Sequence, residues 1–336
     1  MDVRFGITFV GDDLPTFIRH VRQADDWGID RIGVGDSQSM YRELYVACTL
    51  VATLTKRIRL GPWVTNPVTR HPAVTASAIA SVNEVSGGRA FLGIAVGDSA
   101  VYNLGLRPAS PEALREYVRV VRALLQDGEA LYQGKACRLT WARQSIPVYV
   151  GAAGRRSLEM AGETADGVFV NAGVLPEVMA DVRASLARGA ARAGRRVEDI
   201  DVWWVVHAHA QDDGRQAREE IKPSLATAAH AAFRRRLDDK GLPPALIEPV
   251  QRLLRAYQPR AHVPTAANPN ARLVDELGLT DYLQRRFAVV GSPEECAEQV
   301  RELAARGARH IWFSVRMPDK EGFLRALEKA LLPAFR

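Results

Sequence analysis

No apolar run in this chain approaches the ~20 consecutive residues that a membrane helix needs, so a membrane-spanning protein is excluded on composition. Cysteine is scarce. Cys48, Cys137 and Cys296 are odd in number, far apart, and form neither a CxxC pair nor a metal-ligand spacing. A disulfide scaffold is excluded, no metal site is expected, and a reducing cytoplasm is the expected location. The opening MDVRFGITFVGDD begins in a strand-like pattern without the features of a signal peptide. The phosphate-binding signatures GxGxxG and GxxxxGKS/T are missing, as is the hydrolase elbow GxSxG. Acidic residues fall short of basic ones, for a net charge of +6. The arginines, however, are spread over expected helix faces (Arg183, Arg188, Arg192, Arg195, Arg196; Arg234, Arg235, Arg236) rather than interleaved with aromatics. They read as a soluble surface, and no nucleic-acid partner is expected.

What is present is an alternation. With 336 residues, 47% of them hydrophobic, the chain can bury a sizeable core. Ile58–Val64 reads as a buried strand stopped by Thr65-Asn66-Pro67. A small-residue helix, Thr75–Val85, follows and is closed by Ser86-Gly87-Gly88, and Ala90–Ile94 is a second strand ending at Gly97-Asp98-Ser99. Strand, helix and strand in so short a span is a βαβ unit with parallel strands and two polar lips at one end of the sheet. Further strands are expected at Phe5–Val10, Arg31–Gly35, Pro147–Val150, Gly167–Val170, Ile200–Ala208 and His310–Val315, and a hairpin or irregular loop at Ala130–Arg143 with Gly134 at its turn. Eight strands alternating with helices argue for a closed (β/α)8 TIM barrel, with a doubly wound sheet as the alternative. The stretch 212–286 breaks the alternation with helices at Arg215–Phe233, Pro244–Tyr257 and Ala271–Leu277, separated by Gly241–Pro244 and Pro259–Pro269. It is read as a helical insertion between strands seven and eight of a single domain.

The run LGPWVTNPVTRHPAVTASAIASVNEVSGGRAFLGIAVGD, followed by IPVYVGAAGRRSLEMAGETADGVFVNAG, resembles the bacterial-luciferase-like superfamily. Within it the likeness is to the branch of methylenetetrahydromethanopterin reductase. It covers Phe5 to His209 well and the C-terminal third weakly. The resemblance implies a barrel that binds reduced FMN or the deazaflavin F420 at the C-terminal ends of its strands. It also implies a non-proline cis peptide at Trp63–Val64, with Trp63 standing where the reductase has glycine. Three activities follow from it. The one expected first is a two-component monooxygenase, taking reduced FMN from a separate flavin reductase and attacking a small organic substrate with O2. The others are an F420-dependent reductase or dehydrogenase and a non-catalytic flavin-binding barrel. Ser37 occupies the position after Asp36 where F420 enzymes of the superfamily often have histidine. A homodimer or higher oligomer is implied, with the apolar helix Leu44–Leu54 as a contact.

The candidate residues have physical roles beside that likeness. Gly151-Ala152-Ala153-Gly154-Arg155-Arg156-Ser157 is a strand-to-helix turn of small residues. Backbone N–H groups around Gly151, Ala153 and Gly154, the Ser157 hydroxyl and the Arg155 guanidinium suit a phosphate. The resemblance implies that Trp63 and Val64 lie against the flat ring, where Thr65 and Asn66 at the strand end would bond its polar edge. It also implies that Asn171, ending the sixth strand, meets the cofactor tail. Asp36 and Asp98 end strands two and four, where a carboxylate accepts protons, orients substrate or merely caps a helix. His207 and His209 alternate on strand seven and so share a face; His207 is the candidate for proton transfer. His71 lies in a loop near the expected ring site and is a candidate to face substrate.

Overall fold

The strand segments are apolar on both faces and each is followed by a helix, a pattern satisfied when parallel strands are covered by crossover helices. In the computed structural model, which describes residues 3–9, 13–234, 237–258, 268–316 and 320–335, these segments form eight parallel strands. They are β1 (Arg4–Phe9), β2 (Arg31–Val34), β3 (Arg59–Pro62), β4 (Leu92–Ile94), β5 (Val148–Ala152), β6 (Gly167–Val170), β7 (Asp201–Ala210) and β8 (His310–Val315). Hydrogen bonding runs β3-β2-β1-β8-β7-β6-β5-β4. Bridges from Leu60 to Ala90 and from Thr65 to Ile94 join β3 to β4 and close the ring. The fold is the expected (β/α)8 barrel. The hairpin is also present, as Glu129–Tyr132 paired with Lys135–Arg138. Val10, Arg235, Arg236 and most of the Pro259–Pro269 break lie outside the described residues.

One strand escapes the sequence reading. Ala288–Gly291 pairs in parallel with the outer end of β7, from Ala288 opposite His207 to Gly291 opposite Ala210. β7 is ten residues long, and β8 pairs only with Trp203 to His207 of it, so its outer half needs another partner. A four-residue AVVG run carries too little pattern to announce itself. The insertion therefore leads into this added strand. Its long expected helix is split at Ile221 into Gly214–Glu220 and Lys222–Phe233, with Pro223 at the start of the second piece, where its missing N–H is harmless. A further helix, Thr280–Phe287, follows. These helices bury their own apolar cluster, including Leu225, Phe233, Leu253, Val274, Leu283 and Phe287.

The barrel interior is filled from the bottom upward. At the N-terminal end Arg31, 3% exposed, lies 3.0 Å from Asp30 and 2.9 Å from Asp201. Asp201 also accepts from the Tyr149 hydroxyl at 2.8 Å and the Trp203 indole at 3.0 Å, with a ring nitrogen of His310 at 2.6 Å. Burial alone would raise the Asp201 pKa, but the His310 hydrogen bond and the Arg31 charge together hold it below the usual carboxylate range. Above this plug sit Phe91, Phe169, Trp203 and Trp312. Glycines make room for them: a Cβ on Gly6 would fall 2.3 Å from the Trp312 ring, and one on Gly167 would fall 2.1 Å from Tyr149. With base and middle occupied, a site has only the C-terminal mouth.

Candidate functional site at the barrel mouth

The floor of the mouth is made by an irregularity in β3. Between its two bridges to β4, β3 advances five residues (Leu60 to Thr65) while β4 advances four (Ala90 to Ile94). The extra residue is a bulge. The Trp63–Val64 peptide inside it is cis. The Trp63 indole stacks on Trp312 at 5.7 Å with the rings 2° from parallel, and Gly33 leaves the space, since a Cβ there would lie 2.4 Å from that of Trp63. Trp63 and Val64 are the partly exposed edge of the inner aromatic cluster. The Trp63 Nε1 is buried and meets no acceptor among the described residues. Trp63 is thus both core and floor.

Around the floor, the expected residues fall into two groups. Asp36 and Thr65 come together: the Thr65 hydroxyl donates to Asp36 at 2.6 Å, and Arg70 bonds the same carboxylate at 2.6 Å. Arg70 continues to Glu43 at 2.9 Å and lies over the Tyr45 ring. Asp36 therefore fixes the lip of β3, a role the sequence reading did not assign it because Arg70 is remote in the motif. Next to it Ser37, 2% exposed, buries a hydroxyl with no partner among the described residues. Asn66 spends its Oδ1 on the N–H groups of Val68 and Thr69, which shapes the turn after the strand. Asp98 stands apart. It is largely exposed and pairs with Arg234 of the insertion at 2.5 Å, and Arg234 also covers the Tyr102 ring. That pair ties the insertion to the loop after β4. His71 caps the helix Pro72–Val85 through Nδ1 and sets its ring edge-on to Tyr132.

The Gly151–Ser157 turn keeps its small-residue cradle, but its side chains act differently from expectation. The Ser157 hydroxyl donates to Gly154 O at 2.8 Å and accepts from Gly154 N at 3.3 Å, so it closes its own turn. Arg155 reaches along the helix, away from the turn, to Glu159 at 3.0 Å. Glu159, also held by Arg188 and Arg192, has its carboxyl at about 2: burial would raise it, and the three guanidinium bonds outweigh that. The cation over the turn is instead Lys240 from the insertion, 9% exposed, with Nζ 3.1 Å from Ala153 O; a Cβ on Gly154 would meet that nitrogen at 2.7 Å. Arg286, 1% exposed, bonds Ala172 O at 3.0 Å and Lys240 O at 2.7 Å, securing Lys240 against the end of β6. Both lie in the weakly patterned C-terminal third, so neither was singled out. Asn171 follows β6 with its N–H bonded to Ala152 O and its side chain part-exposed.

On β7 the two histidines share a face but not a fate. His209 is buried against Glu220 at 2.8 Å and Gln211 at 3.0 Å, an anchor for the first insertion helix. His207 is 5% exposed, and its Nδ1 has no partner among the described residues. Burial first, and the Arg316 charge second, push its pKa down to about 3, so the ring is neutral at ordinary pH. The mouth thus offers an apolar indole floor and buried polar atoms with no partner among the described residues (Ser37 Oγ, Trp63 Nε1, His207 Nδ1). It also offers a small-residue turn under a lysine. These features fit a flat polar-edged ring with an anionic tail. Among the described residues no group of His, Cys, Asp and Glu could hold a metal, and no helix is long and apolar enough to cross a membrane.

Comparison with known proteins accords with this geometry. The chain is 31% identical to the 5,10-methylenetetrahydromethanopterin reductase of Methanopyrus kandleri, covering 100% of this chain and 99% of that one. It is 25% identical to an F420-dependent glucose-6-phosphate dehydrogenase of Nakamurella multipartita, over 93% of this chain and 90% of that one. The solved coenzyme F420-dependent tetrahydromethanopterin reductase from Methanopyrus kandleri superposes with a TM-score of 0.79 at 28% identity, covering all of both chains. The luciferase-like monooxygenase family matches residues 5–310, and the chain belongs to that family as one of its oxidoreductases.

Proposed function

We propose that this protein is an F420-dependent reductase or dehydrogenase acting on a small organic substrate. The observation that carries the reading is the full-length likeness to an F420-dependent reductase at a TM-score of 0.79. When bound, the deazaflavin supplies hydride to, or takes it from, a substrate carbon. The chain's own residues then have definite tasks. Trp63 and Val64 support the ring from below and exclude water from that side. Thr65, fixed by Asp36, and Asn66 present the polar rim. The Gly151–Gly154 turn receives the phosphate, with helix N–H groups and Lys240 supplying the positive field. Asn171 faces the tail. The test is titration of the purified protein with F420 and with reduced FMN in air. F420 binding, with bleaching of its chromophore on adding an alcohol that is turned over, or return of that colour when the reduced coenzyme meets a carbonyl compound that is turned over, is the expected result. A long-lived flavin peroxide signal without F420 binding would sink the reading.

The monooxygenase fed by a separate flavin reductase stands second, favoured by one observation: Ser37, not histidine, follows Asp36, and its hydroxyl is buried with no partner among the described residues.

The phosphate assignment makes its own prediction. Arg155→Ala should leave cofactor affinity within about twofold, because its guanidinium is spent on Glu159. Lys240→Met should weaken it about tenfold. Equal losses in a fluorescence titration would mean that the anion lies elsewhere.

We also place a second copy of the chain against the helices Leu44–Leu54 and Pro72–Val85. Their outer faces expose Val46 (61%), Val74 (56%) and Val85 (51%), and Glu84 is the only charged residue in either helix. Exposed valines on two nearly uncharged helices suit an interface. Sedimentation should show a dimer for the wild type and a monomer for Val46→Lys/Val74→Glu; a monomeric wild type refutes the contact.

A further inference from the structure

The rim of the mouth holds a positive charge that no carboxylate among the described residues neutralises. Arg316 follows β8 by one residue and lies on the same face as Ser314. Its Nε donates to the Ser314 hydroxyl at 3.3 Å, and Ser314 is itself buried and directly opposite His207 on β7. Among the described residues no carboxylate pairs with Arg316. Arg70, by contrast, is held by Asp36 and Glu43, Arg234 by Asp98, and Arg286 spends its guanidinium on Ala172 O, Lys240 O and the Tyr282 hydroxyl. A half-buried guanidinium whose Nη groups meet no acid among the described residues is poised for an external anion, and its fork matches a carboxylate. The adjacent His207 is almost wholly buried, neutral, and carries an unpartnered Nδ1. A neutral imidazole adds one hydrogen bond without adding charge.

We propose that Arg316 and His207 form a substrate subsite for a small carboxylic acid with a carbonyl or hydroxyl beside its carboxylate. Arg316 takes the carboxylate and His207 bonds the neighbouring oxygen. The subsite deepens the oxidoreductase reading, since it would set the substrate's oxidisable or reducible carbon over the Trp63–Val64 floor. It is separate from the cofactor's anion site: the Gly151–Gly154 turn belongs to β5, three strands along the sheet from β8.

The test uses pyruvate as the anionic probe, acetone as its neutral counterpart and inorganic phosphate as the competing anion, each followed by calorimetry on the full chain. Pyruvate should bind, acetone should not, and phosphate should bind more weakly. Arg316→Gln should weaken pyruvate about tenfold or more and His207→Gln about threefold, while Arg316→Lys, which keeps the charge without the fork, falls between wild type and Arg316→Gln. F420 and FMN titrated in parallel should be unaffected by Arg316→Gln. Should that variant fail to fold, the lysine variant and the acetone comparison read the same question. The proposal is overturned by equal binding of acetone and pyruvate, or by tighter binding of phosphate. Unchanged pyruvate affinity in Arg316→Gln, loss of the cofactor in that variant, or no pyruvate heat at about 50 mM would overturn it too. A wild type that binds pyruvate but neither cofactor would instead refute the oxidoreductase chemistry and leave the subsite standing.

Discussion

Replacing Asp201 by alanine should destabilise the barrel by roughly 3 kcal/mol, the cost expected when one partner of a buried ion pair is removed. Arg31, almost wholly enclosed, would keep Asp30 but lose its second carboxylate. The Tyr149 hydroxyl and Trp203 indole would lose their acceptor, and each orphaned donor adds a penalty of its own. Urea denaturation at fixed pH gives the measurement: a lower midpoint with an unchanged slope. A loss under about 1 kcal/mol would show that the network is ornamental. The same carboxylate predicts an acid limb. Its pKa is depressed in the fold, so its contribution is fully present above the ordinary value near 3.8 and is lost as pH falls below that toward the folded value. Asp201→Asn should remove that part of the pH dependence. If its stability declined with acid as steeply as the wild type's, the network would not be the cause.

The second large effect belongs to Asp36. Asp36→Ala should weaken cofactor binding about a hundredfold, or roughly 2.7 kcal/mol, because Thr65 loses its acceptor and Arg70 is left with the exposed Glu43 alone. The strand end that carries the Trp63–Val64 bulge would then be free to move. Asp36→Asn retains an acceptor for Thr65 but not the charge, and should fall between the two. These outcomes make Asp36 a positioning residue. If cofactor affinity stayed intact in Asp36→Ala and only turnover fell, the carboxylate would be handling a proton directly, as its place at a strand end first suggested.

The fold was legible because strand and helix periodicities differ so sharply along the first two thirds of the chain. The run from Ile58 to Asp98 states strand, turn, helix, glycine stop and strand in order, and the structure follows it within a few residues. What the sequence hid has physical reasons. Ala288–Gly291 is four residues long and exists to pair the overhang of β7, a demand set by tertiary geometry. That Trp63, Thr65 and Asn66 stand at the barrel mouth was legible, since they follow directly on the third strand. The partners of the site were not: Arg70 reaches Asp36 across two strands, and Lys240 arrives from a different unit of structure altogether. A cation that acts through space leaves no period in the sequence. Arg155, by contrast, sat in the expected motif and turned to a nearer acid.

The inner glycines also bear on how this interior can be altered. Gly6 and Gly33 have no side chain with which to fill the place of Trp312, so Trp312→Ala should leave an indole-shaped hollow that the backbone cannot collapse into. Such hollows stay dry and accept apolar guests. Free indole added to that variant should lodge there and raise its melting temperature, turning a structural ring of the barrel into a removable one.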